Sequence, residues 1–214
     1  GDEKPLNVDF LASVLEEDGA FADHFPDYEH RPQQVEMLRA VGEAFNEGRH
    51  LLVEAPTGVG KSLAYLIPAV HWAVQNGERV VVSTNTINLQ EQLHQKDVPD
   101  LEQILPLDFE VAVLKGRSHY LCPARLQALR HRGARSPEQA RVLAKVLIWL
   151  LMTEDGDGDE LFLPSALERS MWHRLSADYE NCNPERCRFF QRGVCYFYRA
   201  RRAAEAAHLI IVNH

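Results

Sequence analysis

The feature that most constrains the fold is a glycine-containing loop at residues 54–62. It reads Glu54-Ala55-Pro56-Thr57-Gly58-Val59-Gly60-Lys61-Ser62, follows the apolar run Leu51 to Val53, and leads into a helical pattern that begins at Leu63. Glycines at positions 58 and 60 let successive backbone N–H groups point into one concavity, where the following helix adds the positive end of its dipole. Strand, loop and helix in this order predict a loop that binds the phosphates of a nucleotide.

The polar residues of this loop have separate chemical roles in that interpretation. Lys61 is expected to reach the β- and γ-phosphates of a nucleoside triphosphate, and the Ser62 hydroxyl to ligate the Mg²⁺ that bridges them. Ala55 stands where the common pattern begins with glycine. The candidate nucleotide-binding residues of the loop are Ala55, Pro56, Thr57, Gly58, Val59, Gly60, Lys61 and Ser62.

Composition indicates a globular protein with an uneven distribution of charge. The 214 residues are 45% hydrophobic and 25% charged, with a formal net charge of −8, which is typical of one or two domains with an ordinary core. No apolar run approaches the length of about 20 residues that spans a bilayer, and the acidic N-terminal segment is unlike a signal peptide, so we expect a cytoplasmic location. Residues 111–137 and 186–202 contain bases but no acid, which favours a polyanionic partner for these segments.

The order of predicted elements indicates an α/β fold with an insertion. β-Branched runs at 79–85 and 109–114 predict strands on either side of a helix at 86–96, which is typical of a doubly wound parallel sheet. From about residue 116 the pattern becomes helical, with a helix at about 138–152 and another at the capping-box pair Ser165 and Glu168. Residues 206–214 return to strand character. We therefore divide the chain into a lead-in (1–30), a first sheet segment (31–115), an inserted module (116–204) and a return strand (205–214).

All four cysteines lie in the inserted module. Cys122, Cys182, Cys187 and Cys195 follow the spacing C-x59-C-x4-C-x7-C, and four thiolates complete one metal site. This spacing alone leaves an iron-sulfur cluster, a zinc ion, or disulfides and free thiols as alternatives. His119 and His173 are interpreted as bystanders because four cysteines already saturate either kind of metal site. The acidic segment 154–160 lacks the full calcium-loop pattern and is interpreted as a solvated turn.

Several motifs taken together resemble the iron-sulfur helicases of the XPD and DinG type, and the DinG branch in particular. The resemblance covers nearly the whole chain. It rests on Arg31-x-x-Gln34-x-x-Met37, the loop 54–62, Ser83-Thr84-Asn85-Thr86 with Leu89-Gln90-Glu91-Gln92-Leu93, Lys115-Gly116-Arg117 with Tyr120-x-Cys122, and Val212-Asn213-His214.

The resemblance implies a fold, a set of cofactors and an activity. The fold is a partial RecA-like parallel-sheet motor domain with an inserted, mainly helical iron-sulfur module. The cofactors are ATP, Mg²⁺ and a 4Fe-4S cluster on the four cysteines, with Arg31 and Gln34 at the adenine. The activity is DNA unwinding with 5′ to 3′ movement, on single-stranded and forked DNA.

The expected DNA contacts come from two sources. The resemblance assigns Thr84 and Asn85. The basic segments suggest phosphate contacts by Lys115, Arg117, Arg188 and Arg192, with Tyr120 among the aromatic residues on which bases could stack.

Two further expectations concern activity. The chain stops where the family continues into its Asp-Glu-Ala-His box, so we expect it not to hydrolyse ATP efficiently alone. The alternative function is a non-motor nucleic-acid-binding module, in which a zinc site made by the four cysteines stabilises an arginine-rich domain on a degenerate nucleotide fold.

Overall fold

The computed structural model describes residues 3–56, 58, 60–180 and 182–213. Thr57 and Val59 of the predicted phosphate loop and His214 of the closing motif lie outside these ranges. The chain divides into two compact units. We call residues 1–113 with 206–214 the sheet unit and residues 114–205 the cysteine unit.

The sheet unit is built on three strands, β1 (Val80–Thr84), β2 (Val111–Leu114) and β3 (Leu209–Asn213). The order in the sheet is β1-β3-β2, so the strand that comes last in the sequence lies in the middle. β3 runs parallel to β1, in a register from Val80 opposite Leu209 to Thr84 opposite Asn213. The predicted α/β class with part of a RecA-like parallel sheet is confirmed.

Helices of the sheet unit supply most of its core. They are α1 (Val8–Ser13), α2 (Ala20–His24), α3 (Pro32–Glu47), α4 (Lys61–Asn76), α5 (Ile87–Gln92) and α6 (Val98–Ile104), with a π-helical turn at Leu93–Asp97 between the last two. The core combines Leu38 of α3 and Leu66 and Ile67 of α4 with Leu209 and Ile211 of β3, all fully buried. This packing places the beginning of α4, and with it the phosphate loop, in the same unit as the sheet.

The helix after the phosphate loop contains Pro68, where we expect a kink or an interruption of the helical hydrogen bonds. α4 continues from Lys61 to Asn76 with Pro68 buried, so the proline removes one backbone hydrogen bond without ending the helix. The prediction for the segment before the loop is wrong. The run Leu51 to Val53 is not a strand, and Leu52 is 98% exposed. A strand needs a hydrogen-bonded neighbour, and no strand among the described residues lies beside this run.

The cysteine unit is helical, as its sequence pattern predicts. It contains α7 (Pro123–Arg132), α8 (Pro137–Trp149), α9 (Ala166–Leu175), α10 (Arg188–Gln191) and α11 (Tyr196–Ala206), with 3-10 turns at Arg117–His119 and Gly158–Glu160. The Ser165 and Glu168 capping box is present at the start of α9. Trp149 and Trp172 meet edge to face, with their ring centroids 5.9 Å apart, in a core that also contains Leu121, Val146 and Leu175. Across the described residues, none of the helices has the length and apolarity that crossing a membrane requires.

Candidate functional site

The phosphate loop meets α4 through two glycines that have positive φ. Gly58 has φ of +86° and Gly60 has φ of +77°, a region that L side chains rarely adopt. Gly60 is also the residue before the helix, so Lys61 and Ser62 are its first two residues. Unpaired N–H groups of the first helical turn are therefore presented where phosphates are expected to bind.

Two side chains, those of Lys61 and Gln34, donate hydrogen bonds to the backbone of the loop. The Lys61 ammonium donates hydrogen bonds to the carbonyl oxygens of Ala55 and Pro56, at 2.8 and 2.9 Å. The Gln34 amide donates to the carbonyl oxygen of Gly60 at 2.8 Å, and Gln34 is only 2% exposed. The predicted nucleotide residues Gln34, Gly60 and Lys61 thus form one connected group.

A cavity of about 810 Å³ lies over this group. It contains the predicted residues Arg31, Gln34, Gly58, Gly60, Lys61 and Ser62. Sequence reasoning did not assign the other residues of its wall, which include Phe25, Tyr28, Lys96, Asp97 and Asp100. The volume is in the range of small-molecule sites, and aromatic side chains beside cationic and amide groups suit a nucleotide.

Asp97 is the acid in this wall with the most restricted surroundings. It is 8% exposed, and burial raises the pKa of its carboxyl group, while hydrogen bonding with the Ser62 and Gln92 side chains opposes that rise. Its position at the end of the π-helical turn has no local sequence signal, because Lys96-Asp97 reads as an ordinary solvated pair. The burial of Asp97 in the cavity wall is visible only in the folded structure, where this turn packs beside the nucleotide cavity.

Gly60 provides a direct test of the loop geometry. A β-carbon at Gly60 would lie 2.2 Å from the Gln34 amide nitrogen, in addition to the strain of its positive φ. We therefore expect Gly60→Ala to destabilise the fold by more than the cost of about 1 to 2 kcal/mol for a left-handed alanine alone. Urea unfolding measures this. Gly77→Ala is the matched control, since Gly77 also has positive φ but has no atoms near its added carbon; equal losses in both variants would contradict the close approach of Gln34.

Three of the four cysteines lie at the beginnings of helices in the cysteine unit, and Cys182 lies outside the helices. Cys122 and Cys187 are the N-cap residues of α7 and α10, and Cys195 directly precedes α11. Burial raises the pKa of the Cys195 thiol, and the negative charge of the other three thiolates raises it further. The four sulfurs are therefore close enough to interact, although they come from widely separated positions in the sequence.

The cysteine sulfurs are not gathered as closely as the thiolates of one bound zinc ion. Among the described residues, no three cysteine sulfurs lie within 4.8 Å of one another; the group that meets this limit is His119, Asp157 and Asp159. Thiolates on one tetrahedral zinc ion, at Zn–S distances of about 2.3 Å, are only about 3.8 Å apart. Four cysteine ligands are compatible with an iron-sulfur cluster and with a zinc ion.

The other group of possible ligands is already paired with a cation. The Lys115 ammonium lies 2.5 Å from Asp157 and 2.8 Å from Asp159, and His119 contacts Asp159 at 3.0 Å. Burial lowers the pKa of Lys115, but hydrogen bonds and charge from both aspartates outweigh it and raise that pKa overall. The His119 hydrogen bond and the Lys115 charge hold the pKa of Asp159 at about 2. This is an internal ion-pair network that attaches the acidic turn to the start of the cysteine unit.

Burial removes three residues from the predicted DNA contacts. Lys115 is 8% exposed and held by the aspartates. Tyr120 is 3% exposed, packs against Cys195 and Phe197, and its hydroxyl accepts a hydrogen bond from the Lys115 backbone. Thr84 is also 3% exposed, and its hydroxyl oxygen lies 3.0 Å from the Thr86 carbonyl. None of the three presents its side chain to a ligand.

The remaining predicted contacts differ in their surroundings. The Arg117 guanidinium lies 4.5 Å from the Phe197 ring centroid and 5.0 Å from that of Tyr179, so aromatic packing fixes it. Asn85, Arg188 and Arg192 are exposed. These three keep the side-chain access that a DNA contact requires.

Sequence reasoning missed a basic cavity in the cysteine unit. It has a volume of about 600 Å³, and its wall includes Arg132, Arg135 and Arg174, all exposed. No acid among the described residues forms an ion pair with these three arginines, whereas Arg125 at the same cavity is paired with Asp178. Arg132 and Arg135 belong to the acid-free segment 111–137, so the sequence contained part of this pattern. Arg174 comes from α9 and joins them only through the tertiary fold.

Comparison with known proteins identifies the class of the chain. Residues 31–128 match the DEAD/DEAH box helicase family. The chain is 35% identical to the 3′-5′ exonuclease DinG of Bacillus subtilis and 35% identical to the ATP-dependent DNA helicase DinG of Escherichia coli strain K12, with 91% of the chain aligned in each case. It spans 20% of the first relative and 29% of the second.

Residues 31–128 are therefore similar to part of a DEAD/DEAH box helicase domain. Within that class the similarity of the chain is to the DinG-type helicases, and the resemblance indicated by the sequence motifs is confirmed.

Proposed function

We propose that the chain is the nucleotide-binding part of an ATP-dependent 5′ to 3′ DNA helicase, with a 4Fe-4S module that engages single-stranded and forked DNA. The observation that carries the proposal is the cavity in which Gln34, Gly60, Lys61 and Ser62 meet at the beginning of α4. Similarity over 91% of the chain to the ATP-dependent DNA helicase DinG of Escherichia coli adds support for ATP and DNA.

Four residues of the cavity have roles in the proposed nucleotide binding. Lys61 would bind the phosphates as a point charge, and the exposed N–H groups at the start of α4 would bind them through hydrogen bonds. Ser62 would ligate Mg²⁺, which would neutralise phosphate charge. Gln34 would read the adenine through the donor and acceptor of its amide, with Arg31 beside it.

The metal part assigns Cys122, Cys182, Cys187 and Cys195 to one 4Fe-4S cluster. Support comes from the location of all four cysteines in one compact unit and from the charge effect of the other three on Cys195. The cluster would stabilise the loops that carry these distant ligands.

The DNA part combines exposed predicted contacts with the basic cavity. Arg188 and Arg192 remain in the proposal, and the cavity adds Arg132, Arg135 and Arg174. Arginine suits phosphates because its planar donors can bind two oxygens at once. The apolar Leu129 and Met171 in the same wall would provide a surface for a base.

The experiment for the whole proposal uses the protein as its gene encodes it. Strand separation is measured on forked duplexes with a single-stranded tail at either the 5′ or the 3′ end, with and without ATP. We expect ATP-dependent separation only when the 5′ tail is present. Separation from the 3′ tail would contradict the polarity, and none on either fork would contradict the helicase assignment.

The basic cavity gives a separate prediction for DNA affinity. We expect the triple variant Arg132→Ala, Arg135→Ala and Arg174→Ala to bind a single strand more weakly, with a flatter dependence on salt. Each lost phosphate contact changes the slope of log affinity against log salt by roughly 0.7, so the total change is about 2. Fluorescence anisotropy at several salt concentrations measures it.

The matched control removes the same charge from elsewhere in the cysteine unit. It changes three exposed arginines that are not part of the cavity wall, Arg130, Arg141 and Arg186, to alanine. Equal slopes in the two triple variants would show that the cavity is not the phosphate site.

The alternative function, a zinc-stabilised binding module, differs from the helicase proposal in its expected metal content and visible absorption. It requires stoichiometric zinc and no visible absorption, whereas an iron-sulfur cluster is coloured. Metal analysis of anaerobically purified protein distinguishes the two.

A further inference from the structure

Asp97 has a buried carboxylate that its own fold does not fully satisfy. Its Oδ2 atom is buried and has no hydrogen-bond partner among the described residues, while the residue as a whole is 8% exposed. An unsatisfied buried carboxylate oxygen is unfavourable for folding. Such a group calls for a ligand, an ordered water molecule or a functional explanation.

The surroundings of Asp97 connect it to the nucleotide site. Its carboxylate interacts with the Ser62 hydroxyl and the Gln92 amide, and Ser62 also interacts with the Tyr65 hydroxyl. Asp97 belongs to the same cavity wall as Gly58, Gly60 and Lys61. Its backbone is the end of the π-helical turn, and such turns are frequent at functional sites.

The charges facing Asp97 leave a position for a cation. Lys61 donates hydrogen bonds to the carbonyl oxygens of Ala55 and Pro56. Lys96 is exposed in the same wall, and its charge opposes the rise in the pKa of Asp97. Asp100 lies in the same wall and adds negative charge. Among the described residues no ion pair neutralises the Asp97 carboxylate, so its charge is available to water bound to a cation at this end of the cavity.

We infer that Asp97 is a positioning residue for magnesium-bound nucleotide. It orients the Ser62 hydroxyl, and its unpartnered oxygen can accept a hydrogen bond from water that hydrates the ion, since Mg²⁺ in proteins usually keeps several water ligands. The inference rests on the proposed nucleotide function and adds a residue from outside the phosphate loop.

Asp97→Asn tests this with two readouts that move in opposite directions. Removing a buried charge is expected to raise the melting temperature of the nucleotide-free protein, because asparagine keeps the shape without the cost of the charge. Affinity for the non-hydrolysable analogue AMP-PNP is expected to fall about tenfold in Mg²⁺. With excess chelator the variant and the unchanged protein should bind the analogue equally. Calorimetry on the protein as its gene encodes it measures both affinities.

Asp100→Asn is the matched control, since Asp100 lies in the same wall but is only partly buried, whereas Asp97 is 8% exposed. We expect a change in affinity of less than about twofold in Mg²⁺ for this variant. Asp97→Glu, which keeps the charge, should retain part of the preference for magnesium.

Three results would overturn the inference. One is an equal loss of affinity with and without Mg²⁺; another is an equal loss in Asp100→Asn. The third is a lower melting temperature or failure to fold in Asp97→Asn, which would make Asp97 a structural partner of Ser62 and Gln92. Absence of AMP-PNP binding by the unchanged protein would instead refute the proposed function.

Discussion

Lys61→Ala is expected to remove most of the affinity of the protein for ATP. The ammonium is the one cation held directly at the phosphate loop by hydrogen bonds among the described residues, at 2.8 and 2.9 Å from the Ala55 and Pro56 carbonyl oxygens. A hydrogen bond from a charged group contributes roughly 1.5 to 3 kcal/mol, so the dissociation constant should rise by about 10- to 100-fold. Titration calorimetry with ATP and Mg²⁺ measures this effect.

The control for this variant is Lys4→Ala, which removes an exposed ammonium of the sheet unit away from the cavity wall. It should bind ATP like the unchanged protein. Lys61 also stabilises the loop through its hydrogen bonds to the backbone carbonyl oxygens of Ala55 and Pro56. The melting temperature of Lys61→Ala is therefore measured as well, to show that the variant is folded. Unchanged affinity in a folded Lys61→Ala variant would refute the phosphate-binding role.

Cys187→Ser is expected to lose iron and inorganic sulfide together and to destabilise the cysteine unit. A serine hydroxyl is a poor substitute for a thiolate on iron, and the loops that bring distant ligands together depend on the metal site. We expect loss of visible absorption and of most of the iron, together with faster proteolysis within residues 114–205. Metal analysis and limited proteolysis measure these effects.

His173→Ala is the control for the cluster, because His173 is exposed and was interpreted as a bystander. It should retain full iron content. Retention of iron by Cys187→Ser, or its loss from His173→Ala, would require a different set of ligands. Stoichiometric zinc in place of iron would favour the binding module.

Local signals account for the features that the sequence predicted correctly. Gly58 and Gly60 follow from their conformational freedom, and the cap formed by Ser165 and Glu168 follows from a three-residue spacing. Both features depend only on residues within a few positions in the sequence, so a local sequence pattern is sufficient to predict them. The α/β class follows in the same way, from runs of β-branched residues between helical patterns.

Tertiary pairing accounts for the features that the sequence did not predict. Lys115 looked like a free base because its acidic partners lie more than 40 residues away, and the hydrogen bond to Asp159 spans 44 positions. The apolar run at 51–53 looked like a strand, but a strand also needs a neighbour. Asp97 gave no signal at all, since its importance comes from burial beside Ser62.

The position of β3 in the middle of the sheet has a consequence for folding kinetics. β1 and β2 do not pair with each other, and each meets β3, which the ribosome makes only after the whole cysteine unit. The pair Val80 and Leu209 is separated by more than a hundred residues, so closing this contact has a large entropic cost and is expected to be slow. During synthesis the edges of both strands stay open until residues 209–213 emerge, which exposes the nascent chain to aggregation. If the proposed cluster is inserted into the intervening segment, it shortens the effective loop, and iron supply then influences how fast the sheet forms.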